Sequence, residues 1–229
     1  YEGRYTLIGT TDVEHHGEPG PVTASAEEIA YLCDVVSRNF ARPLCPADVV
    51  GSFAGIRPLQ EDESADPSGI SRDYRIELDR RDPPLLSVVG GKITTYRRLA
   101  EETVDAVCAA LGRKRPRWTT GAPLPGGDLP DDDFERFAAE LIATHHWADP
   151  AMLRRMARAY GSRIARILEG AQDVSALGAE VLPGLYEREI AYLRDEEWAR
   201  TAEDILWRRS KLGLGLPADA VTRLQDWLA

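Results

Sequence analysis

Residues 85–101 read LLSVVGGKITTYRRLAE. The apolar run Leu85–Val89 follows two prolines and predicts a buried strand, which the two glycines after it bring to an end. A helix is predicted over Thr95–Leu111, with Gly112 as its stop. At such a turn, the first N–H groups of the helix have no hydrogen-bond partner within the helix. The positive end of the helix dipole lies at the same place. The stretch therefore predicts a binding site for an anionic or electron-rich ligand, with Lys92 as an additional cation.

The composition is that of a globular protein with one large domain or two smaller ones. The chain has 229 residues, of which 43% are hydrophobic and 29% charged, and its formal net charge is −10. This acidic balance argues against a nucleic-acid-binding protein, which needs a basic face to displace the counterions of the phosphate backbone. No apolar run reaches the length of a membrane span, and no secretory leader is visible.

The cysteines and histidines do not predict a metal site. The spacing of Cys33, Cys45 and Cys108 matches no metal-binding motif, and we expect Cys33 and Cys108 to be reduced core residues of helices. The histidines form two adjacent pairs, at 15–16 and 145–146, and neighbouring side chains on a helix point too far apart to chelate one ion. Reduced cysteines indicate a reducing compartment, which predicts a cytoplasmic protein.

The first part of the chain mixes strands and helices. A capping box at Ser25–Glu28 predicts the start of a helix with an apolar stripe. Residues 10–23 are polar and rich in glycine and proline, which predicts a loop. Three further strands are predicted, at Arg4–Gly9, Val49–Leu59 and Ser71–Leu78.

The second part of the chain contains only predicted helices. Residues 113–129 are basic and then rich in proline and glycine, which predicts a linker before an all-α domain over 130–229. Four of the five tryptophans fall in this domain, where they indicate a core rather than cofactor contacts. The predicted helices begin after the acidic residues 131–133 and then cover 150–160, 162–169, 185–209 and 217–228.

Five segments, in order, resemble the motifs of one enzyme family. The string GGKITTYRRLAE, Gly90–Glu101, resembles the signature of the FAD-dependent glycerol-3-phosphate dehydrogenases, flavin enzymes that pass electrons to quinone. Leu7–Asp12 resembles the GTTD element of that family, Ala54–Leu59 its GxRPL element, and Ser71–Tyr74 its SRD element. Ala202–Gly213 resembles the marker of its helical C-terminal domain. The resemblance spans nearly the whole chain.

The resemblance implies an α+β protein with an incomplete FAD- and substrate-binding α/β portion over residues 1–112. We expect a mixed or antiparallel sheet there, followed by the linker 113–129 and the all-α C-terminal domain 130–229. Enzymes of this kind hold the FAD pyrophosphate with a G-x-G-x-x-G turn after their first strand, and this chain contains no such turn. We therefore expect the chain to be the C-terminal half of the enzyme, inactive by itself, with the general base and the ADP contacts outside it.

The resemblance also implies roles for individual residues. In the family, the positions that match Arg57, Arg72 and Lys92 line the pocket for the substrate phosphate and hydroxyls beside the flavin, and guanidinium and ammonium groups suit a phosphomonoester. The triplet Thr10, Thr11 and Asp12 either contacts the active site or caps a turn. No catalytic residue is assigned. The residues expected to donate backbone N–H groups to the flavin are Gly90, Gly91, Lys92, Ile93 and Thr94.

The implied reaction is oxidation of sn-glycerol 3-phosphate to dihydroxyacetone phosphate, by hydride transfer to FAD with a quinone as the acceptor. One alternative is a glycerol-3-phosphate oxidase, in which oxygen replaces the quinone. Another is that the all-α domain is an interaction module that docks on a partner or on a membrane surface, while a structural lid over the first domain is the simpler interpretation. The sequence leaves open a homodimer and a peripheral attachment to the inner face of a bacterial membrane.

Overall fold

The computed structural model describes residue 1, residues 3–57 and residues 73–229. They form two compact units, which divide between Ala122 and Pro123. These residues are mostly helical and contain two small antiparallel sheets. None of their helices is both long and apolar enough to cross a membrane.

The first unit contains two helices and a two-stranded antiparallel sheet among its described residues. The strand and the helix predicted from residues 85–101 are confirmed to within one residue at each end. The prediction that this strand is buried is wrong, because Leu85 is 63% and Val88 43% exposed among the described residues. The strand predicted over Ser71–Leu78 is confirmed in its described part, although it continues to Asp79. The bounds are α1, Ala26–Asn39; β1, Tyr74–Asp79; β2, Leu85–Gly90; and α2, Tyr96–Ala110.

The capping box predicted at the start of α1 is present. Ser25 Oγ accepts a hydrogen bond from the Glu28 N–H at 3.2 Å, and Glu28 Oε2 accepts one from the Ser25 N–H at 2.9 Å. These reciprocal bonds satisfy donors that a helix start otherwise leaves unpaired. The helix buries Cys33, while Phe40 at its end is 68% exposed. The apolar stripe of α1 is therefore only partly covered.

Two predicted strands are wrong. Residues 4–9 and the described part of Val49–Leu59 form no strand. Several of their apolar side chains are exposed to solvent, with Leu7 74% and Phe53 75% exposed. An extended segment becomes a strand only where a neighbour pairs with its N–H and C=O groups. Within the described residues no neighbouring strand pairs with either segment.

The three cysteines are free thiols in three different environments. Cys33 is buried, as predicted for a core residue. Cys108 on α2 is only half-buried, so the prediction that it is a core residue is confirmed only in part. Cys45 is exposed.

The second unit packs its helices around one continuous apolar core. Leu153, Leu193, Leu206 and Leu224 are completely buried in it. The helix predicted over 150–160 is confirmed, with Asp149 as its cap and a proline in its first turn. The helices are α3, Phe134–Thr144; α4, Pro150–Tyr160; α5, Ile164–Leu168; α6, Glu187–Glu196; and α7, Ala220–Leu228, with a π-helical turn at Asp204–Arg209.

The prediction that this unit contains only helices is wrong in one place. A short antiparallel hairpin joins β3, Glu180–Leu182, to β4, Leu185–Tyr186, through a turn in which Gly184 has φ +73°. The single helix predicted over 185–209 is also wrong. α6 ends at Glu196, and Trp198 then adopts φ +56°, a conformation that an α-helix cannot continue through.

A buried carboxylate ties this unit together. Glu189 is 1% exposed, and Arg155 donates to both of its oxygens, at 2.7 and 2.8 Å. The Tyr160 hydroxyl donates to Glu189 Oε1 at 2.7 Å. Burial, and then the nearby Glu189 charge, raise the pKa of Tyr160, so its hydroxyl remains a donor at neutral pH. Because Arg155 also donates to the Gly184 C=O at 2.9 Å, the network joins α4, α6 and the hairpin.

Candidate functional site

The diglycine turn joins β2 to α2 in a conformation that favours glycine at both positions. Gly90 has φ +75° and Gly91 has φ +113°, which residues with a Cβ atom rarely adopt. A Cβ atom at Gly91 would lie 3.6 Å from Tyr74 Cβ and 3.7 Å from Leu99 Cδ2, in ordinary contact. The backbone conformation, rather than crowding, is therefore what selects glycine here.

At the start of the helix, the turn contains backbone N–H groups that have no hydrogen-bond partner within the helix. A short 3-10 turn, Ile93–Thr95, precedes α2, and its first backbone bond runs from the Thr95 N–H to the Lys92 C=O at 2.9 Å. The N–H groups of Ile93 and Thr94 come before that bond, so the helix offers them no carbonyl one turn upstream. The side chain of Ile93 is 83% exposed. This geometry suits an oxygen of a ligand.

Lys92 lies exposed at the N-cap position of this turn. It forms no ion pair within the part of the chain that the structure describes. An ammonium group beside N–H groups without helical partners adds a full positive charge to the partial charge of the helix start. The predicted cation and the predicted backbone donors are therefore next to one another.

A polar clamp holds β1 against α2 beside the turn. Tyr74 pairs with Gly90 in the sheet, and its hydroxyl donates to Glu102 Oε2 at 2.8 Å. Arg98 Nε donates to Glu102 Oε1 at 2.8 Å. The bonds from Arg98 and Tyr74 lower the pKa of the Glu102 carboxyl, which is therefore charged at neutral pH. The clamp fixes the strand that follows the SRD element against the helix that follows the GGK turn.

The GTTD and GxRPL elements meet through one ion pair. Arg57 Nη1 donates to Asp12 Oδ1 at 2.7 Å, across 45 residues of sequence. The side chains are 47% and 37% exposed, respectively, so both remain open to solvent. The adjacent Thr11 donates its hydroxyl to Glu28 Oε1 at 2.5 Å, and Thr10 Oγ1 donates to the Thr11 C=O at 3.1 Å.

The structure brings some predicted residues together and leaves others apart. No hydrogen bond or ion pair links Arg57 to Lys92 within the described ranges, and Arg72 lies outside them. Two cavities, of about 330 Å³ beside the start of α1 and about 460 Å³ in the second unit, are lined by none of the predicted residues. The grouping of the three cations in one pocket therefore stays a prediction.

Three residues of this region were not predicted as part of a site. Tyr74 and Glu102 form the clamp, and Glu28 was identified only as a capping residue. The contact between Tyr74 and Glu102 joins residues 28 positions apart, and the contact between Thr11 and Glu28 joins residues 17 positions apart. A capping-box sequence predicts where a helix starts, but it does not predict that the Glu28 carboxylate also binds a residue far away in the sequence.

Comparison with known proteins gives a match first for the second unit. The family model described as the C-terminal domain of alpha-glycerophosphate oxidase matches residues 117–227. The helical unit is therefore similar to that C-terminal domain.

The chain as a whole is similar to glycerol-3-phosphate dehydrogenases, in their C-terminal part. It is 47% identical to the glycerol-3-phosphate dehydrogenase of Pseudomonas aeruginosa and 41% identical to the aerobic glycerol-3-phosphate dehydrogenase of Escherichia coli. It is also 41% identical to the D-erythritol 1-phosphate dehydrogenase of Brucella abortus. These matches cover 100%, 98% and 99% of this chain. The resemblance inferred from the motifs is confirmed.

The chain spans 45% of the length of each of these relatives. The activity of a whole enzyme of this kind is therefore argued below as a proposal.

Proposed function

We propose that this chain supplies substrate and flavin contacts of an FAD-dependent glycerol-3-phosphate dehydrogenase. The reaction is oxidation of the secondary alcohol of sn-glycerol 3-phosphate to the ketone of dihydroxyacetone phosphate, with a quinone as the final acceptor. The observation that carries the proposal is the diglycine turn, whose N–H groups without helical partners lie next to Lys92 at the start of α2. Two of the relatives are named for this substrate, which supports the choice.

Cationic side chains recognise the substrate phosphate in this proposal. Arg57 contacts Asp12 through Nη1, and its guanidinium has further N–H donors that match the oxygens of a phosphate. Lys92 adds an ammonium group with three rotatable donors. Arg72 is included on its motif alone. A phosphomonoester carries about two negative charges at neutral pH, so two or three cations suit it.

The turn residues fit a flavin by the chemistry of their donors. Gly90 and Gly91 carry no side chains, so a planar ring can approach their backbone closely. The N–H groups of Ile93 and Thr94 and the ammonium of Lys92 can donate to a ring oxygen and stabilise negative charge on it. When bound, FAD takes up the hydride that leaves C2 of the substrate. We assign no general base to this chain.

The test uses the full-length gene product that contains this chain. We expect a yellow protein with one flavin per chain, which reduces a soluble quinone analogue when glycerol 3-phosphate is added. Arg57→Ala should raise the KM for glycerol 3-phosphate about 100-fold, because it removes a charge-assisted phosphate contact. A colourless protein, or an unchanged KM for Arg57→Ala, would contradict the proposal.

Two alternatives to this reaction have specific support. The family model carries the name of an oxidase, which favours oxygen as the acceptor, and one relative is named for D-erythritol 1-phosphate. Peroxide formation in air without quinone would identify an oxidase. Comparing kcat/KM for glycerol 3-phosphate and erythritol 1-phosphate decides between the two polyol phosphates.

The isolated 229-residue chain is proposed to be inactive. Its sequence contains no G-x-G-x-x-G turn to hold a dinucleotide pyrophosphate. We expect the purified chain to show no flavin absorbance and no oxidation of glycerol 3-phosphate. Stoichiometric FAD bound to the isolated chain would overturn this part of the proposal.

A further inference from the structure

The carboxylate of Glu28 has a second task beyond capping α1. Its Oε2 atom accepts the Ser25 N–H at 2.9 Å, which closes the capping box. Its Oε1 atom accepts the Thr11 hydroxyl at 2.5 Å, from a residue 17 positions earlier in the chain. Both oxygens are thus used, one by the helix and one by the loop that precedes it.

Asp12, the residue after Thr11, binds Arg57 of the GxRPL element. Asp12 accepts from Arg57 Nη1 at 2.7 Å. Residues 10–23 contain no helix or strand, so Asp12 lies in a loop without regular secondary structure. The bond from Thr11 to Glu28 ties the loop to the first turn of a 14-residue helix instead.

We propose that Glu28 is a positioning residue for Arg57, acting through Thr11 and Asp12. The inference rests on the proposed function, in which Arg57 binds the substrate phosphate. A long, half-exposed arginine loses rotamer entropy when it binds a phosphate. An anchored Asp12 lowers that loss, because it holds the guanidinium in one place before the substrate arrives.

The charge state of Glu28 supports this role. The bonds from the Ser25 N–H and the Thr11 hydroxyl lower the pKa of the Glu28 carboxyl. The carboxylate is therefore ionised throughout the neutral range, and it accepts both bonds as a charged group.

Steady-state kinetics of the full-length gene product test the proposal. Thr11→Val removes the hydroxyl at nearly constant volume and leaves the capping box intact. We expect it to raise the KM for glycerol 3-phosphate about tenfold, the equivalent of about 1.4 kcal/mol, with kcat changed less than about twofold. Thr11→Ser should restore the KM. Glu28→Gln should raise the KM in the same way, since its amide has one acceptor oxygen for two donors.

Two controls separate positioning from stability. Ser25→Ala removes the capping hydroxyl but leaves Thr11 and Glu28 in contact, so it should lower the thermal midpoint without changing the KM. Thr144→Val removes a hydroxyl that donates to the Glu140 C=O at 2.8 Å in α3, and it should change neither kinetic parameter. If Ser25→Ala raises the KM as much as Thr11→Val does, Glu28 acts only through the helix cap, and the inference is wrong.

The double variant Thr11→Val with Arg57→Ala tests whether Thr11 acts on the KM through Arg57. Thr11→Val should add no further rise in KM to Arg57→Ala, because both act on one guanidinium. An additive effect would overturn the route through Arg57. If Arg57→Ala alone leaves the KM unchanged, the proposed function fails. If Arg57→Ala raises the KM but Thr11→Val and Glu28→Gln do not, only the present inference fails.

Discussion

The two units of this chain differ most in what they bury. In the second unit, apolar side chains from α3 to α7 form one continuous core. In the first unit, Cys33 is the only buried side chain among the described residues, while Val50, Phe53 and Ile93 are 68%, 75% and 83% exposed. Among the described residues, a continuous core is thus present in the second unit and not in the first.

We infer from this difference that the second unit supplies most of the stability, while the proposed ligand contacts lie in the first. The second unit has a closed core and a satisfied buried carboxylate, which are the features that make a domain stable by itself. The first unit holds its candidate site with polar contacts instead, from Arg57 to Asp12 and from Tyr74 to Glu102. Changes in the second unit should therefore alter the free energy of unfolding, and changes in the first should alter ligand contacts.

The largest effect is expected at Glu189. Glu189→Ala removes the buried carboxylate that pairs with Arg155 and accepts from Tyr160, which should lower the free energy of unfolding by about 4 kcal/mol. Urea unfolding followed by tryptophan fluorescence measures the change. Glu140→Ala is the matched control, because Glu140 and its partner Arg136 are both more than half exposed. Equal midpoints for the two variants would contradict a central role for the buried pair.

A core truncation should give the next largest effect. Leu153 is 0% exposed, so Leu153→Ala should lower the free energy of unfolding by about 3 kcal/mol. Val104 on α2 is 53% exposed, and Val104→Ala should cost less than about 0.5 kcal/mol in the same urea experiment. A large cost at Val104 in the isolated chain would show that the first unit has a core of its own.

A smaller and local effect is expected at the clamp. Tyr74→Phe removes the hydroxyl that donates to Glu102 at 2.8 Å. Amide hydrogen exchange at residues 90–95 should become about fivefold faster, because the strand and helix separate more often. Tyr96→Phe removes a hydroxyl from a side chain that is 46% exposed and serves as the control. If amide exchange at residues 90–95 is unchanged in Tyr74→Phe, the bond between Tyr74 and Glu102 does not hold β1 against α2.

The effect that depends on pH concerns Asp204. Hydrogen bonds from the Arg200 N–H, then from Arg208 and Thr201, lower the pKa of Asp204 to about 2. A lowered carboxyl pKa adds stability above its unfolded value near 3.9, and that stability is lost as the pH falls through the folded value. Asp204→Asn should cost about 2 kcal/mol at pH 7. The difference from the parent chain should shrink between pH 4 and 2, and a constant difference would contradict the assignment.

Local signals in the sequence predicted the local structure well. The capping box at Ser25–Glu28, the strand, turn and helix of residues 85–101, and α4 all depend on residues within one or two turns of one another. Their hydrogen bonds and backbone angles are set by neighbouring residue types. The hairpin of β3 and β4 had only the dipeptide Pro183–Gly184 as a signal, and its strands are too short to show an alternation.

Contacts between distant residues were not predictable in the same way. The strands expected at Arg4–Gly9 and Val49–Leu59 needed pairing partners, which the apolar pattern of each segment cannot guarantee. Thr11 binds Glu28, and Asp12 binds Arg57. Nothing in the sequence of these segments predicts that they contact one another. The motif resemblance named Arg57 and Lys92 as site residues, whereas the anchor at Glu28 emerged only from the structure.

Ligand protection of backbone amides tests the division between the units most directly. The full-length gene product is exchanged into D2O with and without FAD and glycerol 3-phosphate, and protection is read by mass spectrometry for each peptide. The account predicts protection at residues 90–95 and around Arg57, with little change in α3 to α7. Protection confined to the second unit, or none at the diglycine turn, would contradict it.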